Sequence, residues 1–166
     1  MTRANPPAAD LDFECANAGL GPDPLSVSDL ADDFAVLYFQ RDQYCTNCRD
    51  QVRAVADRYR EFRERNAEVV SILPEPVERA REWVEEYDLP YPLLADPGAE
   101  VGEAYGQPVR FGPLGRFSDF FGRMPEVVIL DLRGDPEVGW VHRGSSTFDR
   151  PSVDAVLDEL DRLRAG

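Results

Sequence analysis

The chain has 166 residues, enough for one domain that buries about 70% of its extended-chain surface. Its formal net charge of −14 argues against nucleic acid and anionic membrane surfaces as partners, because both are themselves negative. With three cysteines, at least one lies outside any internal disulfide.

All 18 basic residues are arginine, and an acid-rich surface of this kind is expected of a protein adapted to high salt, where counterions screen self-repulsion. Residues 1–10 hold no apolar run of signal-peptide length, and no segment approaches the roughly 18 apolar residues of a membrane span. A cytoplasmic protein is therefore expected, and there a cysteine pair is more often catalytic than structural.

Residues 1–12 read as a Pro- and Ala-bearing tail, which leaves 13–166 as a single domain. Phe13-Glu14-Cys15-Ala16 begins a short strand, residues 17–26 are turn-rich, and residues 25–30 suit a short helical turn. The β-forming run 34–39 predicts the first core strand, and a polar loop then leads to Cys45-Thr46-Asn47-Cys48. Val52, Val55, Ala56, Tyr59 and Phe62 recur at helical intervals, which predicts one helix from Cys45 to about Asn66.

Residues 67–73 form the next strand, stopped by Pro74 and Pro76, before a helix marked by Val77, Ala80, Trp83, Val84 and Tyr87. Residues 89–96 are proline-rich and read as a short extended edge or connection, followed by a short helix over about 99–105. Phe111, Phe117, Phe120 and Phe121 stud a glycine-bearing loop over 107–124, long enough to be a lid or wall. Residues 125–131 and 137–143 flank a turn and predict a β-hairpin, and Val153, Val156, Leu157, Leu160 and Leu163 define a closing helix. This order implies an α/β fold in which a central mixed β-sheet is flanked by helices on both faces.

The chemistry concentrates at Cys45 and Cys48. Unpaired N–H groups and the positive dipole end at a helix start favour a thiolate, and a three-residue spacing puts both sulfurs on one side. Cys45 reads as the nucleophile, aided by Arg41 or Arg49, and Cys48 as the thiol that resolves the mixed disulfide. The competing reading is a non-catalytic or zinc-holding module, which would need Cys15 and the sole histidine, His142, to converge on the pair. Taken singly, Cys15 reads as a packed thiol and His142 as a surface or packing residue. With neither a nucleotide fingerprint nor a second close ligand pair, no cofactor or metal is expected.

The element order, with Cys-x-x-Cys ending the first core strand and a proline opening the hairpin, resembles the thioredoxin fold. Within it, residues 37–51 and 69–106 resemble the AhpC/TSA, or peroxiredoxin-like, family, and the likeness covers roughly residues 10–164. Aligning the family's peroxidatic cysteine with Cys48 places Gln40 or Arg41 at the family's proline and Cys45 at its threonine. Its second arginine falls near Met124-Pro125, with Arg123 beside them, and these departures move the chemistry toward thioredoxin.

The resemblance implies a thiol–disulfide oxidoreductase, with a peroxidase as the alternative, in which Cys48 forms the sulfenic acid and Cys45 condenses with it. It also implies a thioredoxin-like or small-thiol reductant, a disulfide or peroxide substrate, and a homodimer as a common assembly. Tyr44 with Met124-Pro125 is the expected docking surface, Thr46 and Asn47 complete the supporting residues, and the Met124–Pro125 bond is implied to be cis. Which cysteine attacks first stays open.

Overall fold

The computed structural model describes residues 11–109 and 123–166. Six consecutive buried residues form the inner strand β3 (Phe34–Phe39), which pairs in parallel with β4 (Ala67–Leu73) and antiparallel with β6 (Glu126–Asp131). Burial on both faces explains why this strand is continuously apolar rather than alternating. The other strands among the described residues are β1 (Glu14–Asn17), β2 (Leu25–Ser26), β5 (Leu93–Ala95) and β7 (Glu137–Arg143), and these seven lie in the order β2-β1-β5-β4-β3-β6-β7. The α-helices among the described residues are α1 (Thr46–Asp57), α2 (Tyr59–Arg63), α3 (Val77–Tyr87), α4 (Glu100–Ala104) and α5 (Val153–Ala165).

Alternation along β3 divides the core in two. Phe34, Val36 and Tyr38 pack with Val52 and Val55 of α1, Phe62 of α2, Trp83 of α3 and Leu160 of α5, and this cluster includes Cys45 and Cys48. Ala35, Leu37 and Phe39 join Leu11, Cys15, Val27, Val101 and Tyr105 in the second cluster. The mixed sheet with helices on both faces is therefore as expected, although four helices share one cluster and α4 with the N-terminal segment supplies the other.

Three expectations need correction. The single helix from Cys45 is broken at Arg58 (φ −117°, ψ 18°) without glycine or proline, and the Arg58 guanidinium ties Glu61 to Asp154 of α5 across the break. β5 is no edge: it lies between β4 and β1, because Pro90 and Pro92 fall before the strand and leave Leu93–Ala95 free to pair. Packed chain also begins before residue 13, since Leu11 is buried and its carbonyl accepts a 2.6 Å bond from the Tyr105 hydroxyl.

The phenylalanine-bearing loop expected over 107–124 falls largely on residues 110–122, outside the described residues. Its two ends are pinned together, by a bridge between Val109 and Arg123 and by the buried Gln107 amide, which donates to Met124 O (3.0 Å) and Gln40 O (3.2 Å). No helix among the described residues is long and apolar enough to cross a membrane.

Candidate active site

Cys45 and Cys48 are joined in a disulfide, with Cα atoms 5.2 Å apart. Cys45 is the N-cap of α1, and its Sγ accepts the Cys48 N–H at 3.1 Å, so the bond is built on the helix's first unpaired donors. Cys45 is 6% exposed and Cys48 0%, which makes Cys45 the sulfur nearer solvent. The loop out of β3 folds back over the pair, and the Arg41 N–H donates to Cys48 Sγ at 3.3 Å.

The closest side chains come from the far end of the chain. Arg150 Nη2 lies 3.0 Å from Cys48 Sγ and 3.4 Å from Cys45 Sγ. Its Nε donates to Thr147 O at 2.7 Å and its Nη1 to Gln51 Oε1 at 2.8 Å, which clamps the guanidinium on both sides. Thr147 Oγ1 accepts from Arg41 Nη1 and Asn47 Nδ2, each at 3.3 Å, and lies 3.9 Å from Cys45 Sγ. A hydroxyl has two acceptor positions and one proton, so those donors leave the proton free to face Cys45. Burial, with repulsion from Arg41 added, lowers the Arg150 pKa to about 10, and the group stays cationic at neutral pH.

Of the supporting residues expected from the sequence, Arg41 and Asn47 reach this cluster. Arg49 does not: its Nε and Nη2 hold Gln43 O (3.1 and 2.8 Å), its Nη1 meets Tyr87 OH (2.9 Å), and its guanidinium lies over the Trp83 ring. It fastens the loop to α3 instead of meeting the thiols. Arg123 contributes its carbonyl, which accepts from Arg41 Nε at 2.8 Å.

Tyr44 is 79% exposed before Cys45 and Thr46 is exposed, whereas Met124 and Pro125 are buried, so the docking surface expected of that trio keeps only Tyr44. The Met124–Pro125 bond is trans, and the cis bond among the described residues is Asp23–Pro24. Met124 N–H donates to Pro108 O and Gly144 N–H to Pro125 O, each at 2.8 Å, so 124–125 runs extended into β6 without reversing.

Cys15 sits in the second core cluster, where burial and nearby Asp96 and Glu100 push its thiol pKa up to about 12. His142 Nε2 pairs with Asp149 Oδ1 at 2.9 Å. Neither converges on the cysteine pair, and among the described residues no cluster of three potential ligands could hold a metal. Thr147 and Arg150 lie outside the site residues that the sequence indicates: they sit in a polar stretch carrying one arginine between the last strand and the last helix, and nothing local ties that stretch to a cysteine about 100 positions away.

A disulfide-forming Cys-x-x-Cys at the first helix after an inner strand, on a mixed sheet of seven strands among the described residues, places the chain in the thioredoxin-like fold class. The chain belongs to the AhpC/TSA family, whose model matches residues 7–134. It is 33% identical over 113 residues to a chloroplastic peroxiredoxin Q of Sedum lineare, 67% of this chain and 56% of that protein. It is 30% identical to the Arabidopsis thaliana counterpart, with 67% and 48% covered, so the chain spans about half the length of the curated relatives it matches. Among solved structures, peroxidoxin BcpB from Mycobacterium tuberculosis superposes with a TM-score of 0.71 at 27% identity, covering 93% of this chain and 92% of that one. Peroxiredoxin Q of Xanthomonas campestris has the same fold, with a TM-score of 0.76 at 17% identity over 95% and 94% of the two chains.

Proposed function

We propose that the protein is a thiol–disulfide oxidoreductase that cycles Cys45 and Cys48 between dithiol and disulfide. The carrying observation is the bond between the two sulfurs at the α1 N-terminus, where backbone and side-chain donors surround both. A thiolate of the reductant attacks one sulfur, the other leaves as a thiolate, and the reductant's second thiol releases it from the mixed disulfide. The electron donor is a thioredoxin-like dithiol or a small thiol, the setting is cytoplasmic, and a homodimer is the proposed assembly.

A second reading is thiol peroxidase activity, favoured by the cationic and N–H donors on Cys48 Sγ and by the relatives' names. There the Cys48 thiolate attacks a peroxide oxygen, the O–O bond breaks, and an alcohol or water leaves. Cys45 then displaces water from the Cys48 sulfenic acid to form the disulfide.

Single Cys45→Ser and Cys48→Ser proteins separate the two. A stable mixed disulfide on Cys45 in the Cys48→Ser protein supports exchange; sulfenic acid on Cys48 in the Cys45→Ser protein, with peroxide consumption by the wild type, supports the peroxidase. Absence of both products would overturn the proposed function. Salt adaptation is proposed from the −14 charge and the arginine-only cations; a thermal midpoint that does not rise from dilute buffer to molar potassium chloride would count against it.

A further inference from the structure

The turn that leads into Cys45 is held only loosely by its own backbone, since the Cys45 N–H reaches Asp42 O at 3.4 Å. Its firmer support comes from the α3 side. Glu75, in the connection between β4 and α3, accepts the Gln43 N–H at 3.3 Å, and Arg49 grips the Gln43 carbonyl with both Nε (3.1 Å) and Nη2 (2.8 Å). Gln43 is thus fixed at its N–H and at its C=O.

Arg49 is fixed in turn. Its Nη1 donates to Tyr87 Oη at 2.9 Å and meets Glu86 at 3.2 Å, and the guanidinium lies 4.9 Å above the buried Trp83 ring. Its backbone N–H donates to Cys45 O at 3.1 Å, so this one residue fastens the carbonyls on both sides of Tyr44. A cation this close to the positive end of α1 gains nothing from the helix dipole. Its charge is met by Glu86 and its side-chain hydrogen bonds end on oxygens, so its place is accounted for by what it braces.

In the oxidised protein the bond to Cys48 itself keeps Cys45 at the start of α1. After reduction nothing covalent does. Closure then depends on how often the two sulfurs lie within bonding reach, which is their effective concentration.

We propose that Arg49 is a positioning residue: by bracing the Gln43 carbonyl against α3 it keeps Cys45 within reach of Cys48 in the reduced protein, and so sets how readily the disulfide closes. The proposal rests on the oxidoreductase reading and deepens it, by naming the contact that tunes the pair. In the closing reaction a thiolate of the pair attacks a partner disulfide, and one partner sulfur leaves as a thiolate that takes up a proton. The second cysteine gives up its proton and attacks the first in the mixed disulfide; the Cys45–Cys48 bond forms and the other partner sulfur leaves. The pair is oxidised by two electrons and the partner reduced by two.

The test equilibrates the full chain with mixtures of reduced and oxidised dithiothreitol and reads the oxidised fraction from the mass of alkylated protein. Arg49→Met is expected to shift the equilibrium about tenfold toward the dithiol, the effect of releasing roughly one residue's backbone, which is about 30 mV for a two-electron couple. Arg49→Lys keeps the charge, but one ammonium cannot fork the carbonyl and also reach Tyr87, so it should shift nearly as far. Tyr87→Phe should give a smaller shift in the same direction, and it carries the comparison if Arg49→Met fails to fold. Arg65→Met, which breaks the Arg65–Asp161 pair, should lower stability without moving the equilibrium.

Equilibria within twofold of wild type in both Arg49→Met and Tyr87→Phe would overturn the proposal. So would full recovery in Arg49→Lys, which would assign the effect to charge, or an equal shift in Arg65→Met, which would assign it to general loosening. If the wild type does not accelerate the reduction of insulin by dithiothreitol while its own equilibrium still depends on Arg49, the oxidoreductase reading fails and the positioning role stands.

Discussion

Asn47 Nδ2 donates to Thr147 Oγ1 across 3.3 Å, joining the first turn of α1 to the loop that delivers Arg150. Thr147→Val removes this acceptor, which also serves Arg41 Nη1, and is expected to cost about 1 kcal/mol. Thr147→Ser keeps the hydroxyl and should unfold near the wild-type denaturant midpoint. Equal midpoints for Val and Ser would show that the bond carries no stability.

Glu126 opens β6 with a fully buried side chain, and Arg143 at the end of β7 donates to it at 2.7 Å. Arg143→Met removes this charged donor from the buried carboxylate and is expected to cost about 1.5–3 kcal/mol. Adding Glu126→Gln should restore part of that loss, because a buried neutral amide costs less than a buried charge. Chemical denaturation of the single and double variants checks both statements.

Close backbone approach fixes Gly19. A Cβ there would run into the Tyr91 carbonyl and sit 2.8 Å from Leu93 N, beside the pairing of β1 with β5. Gly19→Ala is expected to destabilise by more than about 1–3 kcal/mol, the usual cost of overpacking, because backbone cannot step aside as a side chain can. A thermal midpoint equal to wild type would refute this.

Acid should loosen the loop that carries Thr147 and Arg150. Asp149 accepts the Ser145 N–H at 2.8 Å and its hydroxyl at 3.1 Å, and these bonds, with His142, hold its carboxyl below the usual range. A carboxyl with a lowered folded pKa stabilises above its unfolded value, about 3.9 for aspartate, and loses that contribution as pH falls through the folded value. Hydrogen-exchange protection of the Ser145 amide should therefore hold at pH 5 and above and decline below about pH 4. Asp149→Ala should lower it at pH 5 and above, where the wild-type carboxylate is charged.

The core strands were legible because a run such as 34–39 has one good solution: apolar on both faces, it must lie inside a sheet. The cysteine pair was legible for a similarly local reason, since thiols three apart at a helix start determine their own geometry. Thr147 and Arg150 were not, because their place depends on strand order. Only when β7 lies beside β6, and β6 beside β3, does the chain after β7 return over the start of α1. The implied cis Met124–Pro125 bond failed on the same point: whether a proline turns the chain or continues it depends on the ladder it joins, here Pro108 on one side and Gly144 on the other.

Because both sulfurs belong to one helical turn, 5.2 Å apart at Cα, making or breaking their bond asks for no unwinding of α1 and no exchange of strands. Reduction therefore changes what Arg150 and Arg41 face, from a neutral bond to a pair of thiols able to carry charge. Any molecule that distinguishes the two states must do so by sensing charge at the mouth of the site, and a mutation there can blind it without disturbing the fold.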